Sequence, residues 1–592
     1  MSRDITRRPR QDSNLRTRLR RPVLYPLSYG GGGCRDRNDQ VRGSSVHDTH
    51  RSILPGVGTE GELAAATAEA LRDLGLKCDE SDVRLERPQR LEHGDWSTNA
   101  ALSFAKAAHK NPRDLADQVA AALAARPPRN MVGVEVAGPG FINFLLSPSW
   151  LHETLEDVLA AGESGYAAPD LGGGETVQIE FVSANPTGPL HVGNGWFASY
   201  GDALARIMSR AGWMVSREYY VNDTGGQIRR LGQSVLARRR REQVPEEGYQ
   251  GEYVAALAES YDGPDDELEA GRFAAERILE NIKETLASLH IAFDEWYSQA
   301  AIEESGQVEE TIEALRRAHH VYDHEGAVWL RSTTFGDARD RVLVRSSGEP
   351  TYLAGDLAYH RDKFLIRGFD RVIDVLGADH HGQIASLKAG LAGLGVDPDR
   401  LEVRIGQMVS LVGVTMSKRS GHFVSMGDLI DLLGPDAARL ATLLSSIDQA
   451  TTIDLDKVAA RSAENPVFYV QYAHARIASI GRVAKERGIE RVPLEEADLS
   501  LLVHPRELEV LRVLSDLPRV VREAAMERAP YKVTNWVRAL ASAFHGFYHD
   551  CYVMGDDVPA ELTAARLWFV EGARIGLAIG LDLLGVTAPE QM

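Results

Sequence analysis

The apolar positions change their spacing several times along the chain, and each change predicts an element or a boundary. Residues 1–52 carry hardly any helical or strand periodicity and read as a disordered extension. From Glu62 onward, Leu63, Ala66, Ala70 and Leu71 fall on one helical face. A helix from about Ala100, another over 112–125 and two strands around 132–136 and 141–145 complete a compact α+β unit, so 53–150 reads as one small domain. Within it, Asp95 and Asn99 of His93-Gly-Asp-Trp-Ser-Thr-Asn99 read as caps of the helix that follows. Residues 162–175, with their Gly172-Gly-Gly174 run, read as a linker.

The stretch Thr-Val-Gln-Ile-Glu-Phe at 176–181 is rich in β-branched and aromatic residues and predicts a buried strand. Asn185-Pro-Thr-Gly-Pro189 breaks it, because two prolines fix φ and remove backbone donors, and the result is a rigid loop. Phe197, Ala198, Ala203, Leu204, Ile207 and Met208 return at helical spacing, which predicts a helix over 196–210. Further strands near 213–220, 371–376 and 402–409, alternating with helices, predict a Rossmann-like parallel α/β sheet across 165–455, with a charged, helix-rich insertion near 230–330. Val533, Val537, Leu540, Ala541, Phe544, Phe547 and Tyr548 keep a helical stripe that reads as core, so 456–592 is expected to be all-α.

Composition adds compartment and partners to this picture. At 592 residues the chain is long enough for three or four separate cores. Cys34, Cys78 and Cys551 lie far apart with no C-x-x-C pair, which argues against a disulfide framework or a structural zinc site and suits a cytoplasmic setting. The most apolar late stretch, 575–586, is short and contains Asp582, so no membrane span is expected. The basic N-terminus lacks the apolar centre of a secretory signal. A formal net charge of −19 argues against a surface that grips nucleic acid everywhere. It leaves room for a local basic face such as Arg238-Arg-Arg-Arg241, whose other reading is a solvated surface run.

Two stretches read as phosphate-directed. Strand, loop and helix put His191, Gly193 and Asn194 at a helix N-terminus, where backbone N–H groups and the positive dipole end attract an anion and glycine permits close approach. The same position suits His191 as a helix cap. Val414-Thr-Met-Ser-Lys-Arg-Ser-Gly421 puts Lys418 in a Ser/Gly-rich loop, where it can swing onto a polyphosphate or remain in a solvated basic turn. Gly377-Ala-Asp-His-His-Gly-Gln383 has adjacent acid and imidazole groups but no third spaced ligand for a metal.

Together, His191-Val-Gly-Asn194 and Thr415-Met-Ser-Lys-Arg419 resemble the paired HIGH and KMSKS signatures of class I aminoacyl-tRNA synthetases, departing from them at Asn194 and Thr415, where the generic motifs have His and Lys. Longer stretches at 180–194, 219–229, 351–362 and 469–476 resemble the arginyl-tRNA synthetase family, and the likeness covers roughly residues 60–592. Its first motif region comprises Ala184, Asn185, Pro186, Thr187, Gly188, Pro189, Leu190, His191, Val192, Gly193 and Asn194.

That resemblance implies a ligase that activates L-arginine with ATP, brought in with Mg²⁺, to arginyl-adenylate and pyrophosphate, and then charges tRNA(Arg). It implies that His191, Asn194 and Lys418 act on the phosphates, and that Gly193, Gly377, Asp379, Met408, Val409, Met416 and Ser417 help to bind ATP. Tyr352 and Asp356 would take the arginine side chain, sharing one face if 353–359 is helical; Ser183 and Asn185 would take its α-amino and carboxylate groups, with Glu180 a second acid. Core packing is the other reading of Tyr352, and a structural salt bridge that of Glu180. No tightly bound, protein-ligated metal is implied. Residues 53–150 would contact the outer corner of the tRNA. Residues 456–592, with Ala473-His-Ala-Arg476, would bind the anticodon, and Tyr469, Tyr472 and Trp536 are candidates for stacking on bases. A monomer is expected. For residues 1–52, with twelve Arg, five Asp and no Lys, two readings stay open: a basic arm on tRNA, or upstream sequence translated from an early start codon.

Overall fold

The computed structural model describes residues 58–88, 90–413, 425–460, 462 and 464–592. Residues 1–52 and the stretch holding Thr415, Met416, Ser417 and Lys418 lie outside the described residues, as does the side chain of Asp379.

The first domain places helices α1 (Thr59–Asp73), α2 (Ala100–Phe104) and α3 (Pro112–Ala125) with an antiparallel sheet of β1 (Leu85–Glu86), β2 (Trp96–Thr98), β3 (Met131–Ala137) and β4 (Phe141–Leu146), in the order β1-β2-β4-β3. Asn111 caps α3 by accepting from the Arg113 N–H at 2.9 Å, ahead of a proline at the first helical position. The expected caps at Asp95 and Asn99 are not formed. Trp96–Thr98 is drawn in as a buried strand, so Asp95 instead accepts from the Leu146 N–H at 2.9 Å and from Arg512 Nε at 3.2 Å. Thr98 Oγ1, rather than Asn99, accepts from the Ala100 N–H at 3.2 Å.

Of 162–175, read as a linker, 166–175 hold no helix or strand and lead into the next strand, while the first residues belong to a helix. Helix α4 (Ser149–Gly165) runs into the stretch with a break at Gly162 (φ 62°), burying Trp150, Leu151, Leu155 and Val158.

The central sheet begins with β5 (Thr176–Glu180), followed by α5 (Val192–Arg210) and β6 (Met214–Val221). Helices α6 (Gly226–Arg239), α7 (Glu252–Ser260) and α8 (Glu267–Ser288) precede β7 (Glu295–Ser298). After α9 (Gln299–Glu304) and α10 (Gln307–Arg317), strands β8 (Val321–His324), β9 (Ala327–Leu330) and β10 (Arg341–Val344) form an antiparallel sheet with its own small core, which the helix-rich reading of the insertion did not include. Helix α11 (Tyr352–Arg361), β11 (Arg371–Gly377), α12 (Ile384–Gly393) and β12 (Leu401–Gly406) return the chain to the central sheet.

The order of that sheet is β12-β11-β5-β6-β7, parallel throughout. From β5 the chain passes through α5 to β6 on one side, while β11 and β12 lie on the other. Connections therefore diverge between β5 and β11, and a parallel sheet binds ligands above such a point. The expected strand at 402–409 divides: β12 stops at Gly406, where a side chain would overlap the Phe197 ring, and β13 (Val409–Val412) pairs with β14 (Thr451–Asp454) in a separate sheet.

Helices α13 (Met426–Leu433), α14 (Pro435–Thr442) and α15 (Leu455–Ala459) lead into a helical domain of α16 (Pro466–Glu486), α17 (Pro505–Ser515), α18 (Leu517–Glu527), α19 (Tyr531–Asp550) and α20 (Ala560–Leu583). On α19, Val533, Val537, Leu540, Ala541, Phe544 and Phe547 are buried, as their spacing predicts. Tyr548, at the edge of that stripe, is 44% exposed and leaves the core. The fully buried Arg439 joins these parts: it pairs with Asp202 of α5 and donates to the carbonyls of Leu289 and Leu584. Among the described residues no helix is long and apolar enough to cross a membrane.

Candidate active site

Helix α5 starts at Val192, earlier than its apolar spacing predicts, because His191 and Asn194 form a capping box. His191 Nδ1 accepts from the Gly193 N–H at 3.0 Å, and Asn194 Oδ1 accepts from the His191 N–H at 3.2 Å. Burial lowers the His191 pKa from its ordinary value, which favours the neutral ring. With Nδ1 accepting, the proton of that neutral ring sits on Nε2. Capping and anion binding are thus compatible: the cap uses the acceptor atoms of both side chains, and the donor ends, Nε2–H and the Asn194 amide, suit phosphate oxygens.

The preceding loop is strained and braced. Val182 (φ 71°) and Ser183 (φ 39°) adopt left-handed backbone that a β-branched residue rarely takes, at a cost of about 1–3 kcal/mol each. Ser183 Oγ donates to Glu180 Oε1 at 2.8 Å and accepts from the Tyr220 N–H at 3.1 Å. The Tyr219 hydroxyl donates to the Ala184 carbonyl at 2.9 Å, and Tyr253 of α7 donates to the Thr187 carbonyl at 2.8 Å. At the far end, the Met426 N–H donates to the Leu190 carbonyl at 2.7 Å.

Tyr352 opens α11 and is 74% exposed, so it is not a packing residue; Asp356 lies one turn on, half-buried. Burial, and then the negative charges of Asp356, Glu180, Glu303 and Asp223, raise the pKa of the Tyr220 hydroxyl. Asp223 also accepts from the Ala300 N–H at 2.9 Å and from Ser298 Oγ at 2.6 Å, which fixes β6 to α9. Tyr220, Asp223 and Glu303 were not among the residues picked out from sequence. The first two fall within 219–229, one of the stretches that carry the family resemblance, whereas nothing local marks Glu303. Glu180 forms the salt bridge that was its alternative reading, at 2.6 Å from Lys363 Nζ.

Next to β5, Gly377 ends β11, and a 3₁₀ turn over Ala378–Gln383 follows. Met408 is 76% exposed just before Val409 opens β13, and its carbonyl accepts from the Thr451 N–H at 3.1 Å.

In the helical domain the candidates separate. Trp536 is buried, with Nε1 donating to the Val513 carbonyl at 2.7 Å, so it is not available to stack on a base. Tyr469 is half-buried against His545. Tyr472 is exposed, and its ring centre lies 4.3 Å from the Arg476 guanidinium. In the basic run, Arg239 donates to the Gly263 carbonyl and Arg240 pairs with Asp265.

Residues 61–146 match the family described as arginyl tRNA synthetase N terminal domain, and 470–592 match the DALR anticodon binding domain. The curated arginine–tRNA ligase of Frankia alni is 46% identical over 549 residues, covering 90% of this chain and 98% of the relative. That of Moorella thermoacetica is 44% identical over 550 residues, covering 89% and 97%. The solved arginyl-tRNA synthetase of Thermus thermophilus, at 23% identity, shares the fold with a TM-score of 0.72 over 90% of this chain and 99% of that one. Parallel sheet, N-terminal domain and helical C-terminal domain together are those of a class I aminoacyl-tRNA synthetase. The chain belongs to the arginyl-tRNA synthetase family.

Proposed function

We propose the following division of labour for the ligation of L-arginine to tRNA(Arg) by this chain. The arginine carboxylate attacks the α-phosphorus of ATP in line, the bond to pyrophosphate breaks, and arginyl-adenylate forms. A hydroxyl of the 3′-terminal adenosine of tRNA then attacks the activated carbonyl and AMP leaves. No protein nucleophile is needed, so catalysis rests on placement and charge stabilisation. His191 Nε2–H and the Asn194 amide donate to the phosphates, and Lys418 neutralises the departing pyrophosphate, with Mg²⁺ arriving on ATP. Gly193, Gly377, Asp379, Met408, Val409, Met416 and Ser417 line the nucleotide. Asp356 and Tyr352 receive the guanidinium side chain, Ser183 and Asn185 hold the α-amino and carboxylate groups, and Glu180 acts on the substrate by fixing Ser183.

The observation that carries this reading is the braced loop that ends at the His191–Asn194 capping box, with Ser183 hydrogen-bonded to Glu180 and to the Tyr220 N–H, together with Tyr352 and Asp356 one turn apart at the start of α11. The Asp356 carboxylate with the exposed Tyr352 beside it suits a planar cation. Support for Lys418 comes from Ser425, which is bridged to His191; the intervening stretch spans at most about 25 Å when fully extended.

In the same reading residues 53–150 contact the tRNA body, 165–455 carry the chemistry, and 456–592 hold the anticodon, with Tyr472 and Arg476 offered to a base. The enzyme works as a cytoplasmic monomer with no membrane partner. Pyrophosphate exchange with each of the twenty amino acids, in the presence of total tRNA, tests the substrate assignment. Exchange with arginine alone is expected; exchange with another amino acid, or with none, overturns it.

A further inference from the structure

Beneath the strand ends runs a row of buried acids. Asp374 of β11, Glu180 of β5 and Glu218 of β6 are in register on adjacent parallel strands, so their side chains share one face of the sheet. Like charges directly opposite one another destabilise a sheet, and all three are almost fully buried, so each must be compensated. The compensation comes from α11 and the π-helical turn Asp362–Ile366 that continues it. Tyr359 donates to Glu218, Lys363 reaches both Glu180 and Asp374, and Arg367 forks onto Glu218.

Lys363 is the centre of this row. Its side chain is 0% exposed, and Nζ lies 2.6 Å from Glu180 Oε2, 3.0 Å from Asp374 Oδ1 and 4.2 Å from the centre of the Tyr359 ring. Burial alone would depress its pKa, but the charges of Asp374, Glu180 and Glu218 outweigh burial and push it up to about 12, so the ammonium persists. Two chains of contact leave it. Through Glu180 Oε1 it reaches Ser183 Oγ at 2.8 Å, and so the strained Val182–Ser183 turn. Through the other oxygen of Asp374 it reaches His360 Nε2 at 2.8 Å, and His360 Nδ1 contacts the Asp356 carbonyl at 2.8 Å.

We propose that Lys363 is a positioning residue for arginine activation, tying the Ser183 arm and the Asp356 arm of the amino-acid pocket to one buried cation so that they keep a fixed separation. The inference rests on the assignment of Ser183 and Asp356 to arginine made above. The two arms come from elements far apart in sequence, so contacts across the fold must fix one against the other, as Tyr359 and Arg367 help to do through Glu218. A cation shared by their supports does so, and because it lies below the pocket it touches neither arginine nor ATP.

The test compares Lys363→Met, Lys363→Arg, Asp374→Asn and Asp356→Asn, each assayed well below its own melting temperature for the KM of arginine and of ATP with saturating tRNA. Lys363→Met should raise the arginine KM about tenfold or more while the ATP KM stays within about twofold, since misplacement of a binding arm weakens only the group it holds. Lys363→Arg should recover most of the loss. In a double-mutant cycle Lys363→Met and Glu180→Gln should be non-additive in arginine KM, because both act through Ser183. If Lys363→Met does not accumulate as folded protein, Lys363→Arg and Asp374→Asn carry the test, with a smaller rise in arginine KM expected in the latter. A folded Lys363→Met with an unchanged arginine KM, or with both KM values raised together, overturns the proposal; so do unchanged values in both substitute variants. Asp356→Asn separates the two levels of argument. If it leaves arginine KM unchanged, the pocket assignment fails; if it raises KM while the Lys363 variants do not, only the positioning role fails.

Discussion

His191 and Ser425 face each other across a single antiparallel bridge, and beside it the Met426 N–H donates to the Leu190 carbonyl at 2.7 Å. The end of the stretch that carries Lys418 is thereby attached to the N-terminus of α5, the position that suits a phosphate. Lys418→Ala should lower arginine-dependent pyrophosphate exchange about a hundredfold, equivalent to about 3 kcal/mol, with arginine KM little changed. A variant that retains the full exchange rate would remove Lys418 from the reaction.

Substitution can separate the cap that His191 forms from its proposed contact with phosphate. His191→Asn keeps a side-chain acceptor for the Gly193 N–H, whereas His191→Ala removes it, so only the alanine variant should lose about 1 kcal/mol of capping stability. Both should lose roughly a hundredfold in exchange rate, since neither supplies the imidazole N–H. The pH dependence follows from the lowered pKa of this ring. The folded chain binds the proton less readily than the unfolded one, so the contribution of His191 to stability is present at higher pH and falls as pH drops through the ordinary histidine value of about 6.5. Protonation of Nδ1 also breaks the cap. Stability measured from pH 8 to 5.5 should therefore begin to decline near pH 6.5 in the native enzyme, any change in rate should follow only at the lower pH where the folded ring itself protonates, and the decline in stability due to His191 should be missing in His191→Asn.

Sequence pattern disclosed the strand–loop–helix around His191 because the apolar period changes sharply there, from β5 through a proline-fixed loop to α5. It failed where the deciding contact is distant in sequence. Trp96–Thr98 is too short to show a period and is a strand because β1 and β4 pair with it on either side, which moved Asp95 from a local cap to a tie with Arg512. The predicted strand over 402–409 divides because Val409–Val412 pairs with the distant Thr451–Asp454 instead of continuing along β11. For the site, Tyr352 and Asp356 were legible as a pair four apart, but the row beneath them was not. Its visible traces are Glu180, readable as a structural salt bridge, and Asp374, an acid in the middle of an apolar strand. Lys363 leaves no comparable trace, since the π turn shifts it out of the 3.6-residue register.

Helices α6 and α8 approach closely through Gly232 and Gly271: a Cβ on the first would overlap the Glu267 carbonyl, and one on the second the Ile228 carbonyl. Backbone cannot move aside as a flexible side chain can, so Gly232→Ala should cost about 1–3 kcal/mol in denaturant unfolding. Gly481 of α16 is the control. It has open space around its Cα, and Gly481→Ala should be neutral or stabilise by up to about 1 kcal/mol. Equal effects at the two positions would mean that helix propensity, rather than the close approach, governs both.

The exposed aromatic surface of the helical domain gives a prediction that discriminates stacking from charge. The Arg476 guanidinium lies 4.3 Å from the Tyr472 ring centre and 4.6 Å from that of Tyr548, and its Nη1 lies 3.1 Å from His545 Nδ1. His545 in turn contacts the Tyr469 carbonyl through Nε2 at 3.0 Å, and burial lowers its pKa, which keeps Nδ1 available as the acceptor. The planar cation is therefore held against two phenols, a platform on which an unpaired base can stack. Base–aromatic stacking contributes about 1–3 kcal/mol per base, so Tyr472→Ala should raise the KM for tRNA roughly fivefold or more while the KM for ATP stays constant. Arg476→Lys should weaken tRNA binding nearly as much, because an ammonium keeps the charge and loses the plane. The slope of affinity against salt should change little in Tyr472→Ala, since the lost contact is to a base and not to a phosphate. Trp536→Phe should leave tRNA KM unaltered, because the indole lies inside the domain. Unchanged tRNA binding in both Tyr472→Ala and Arg476→Lys would move base recognition away from this surface.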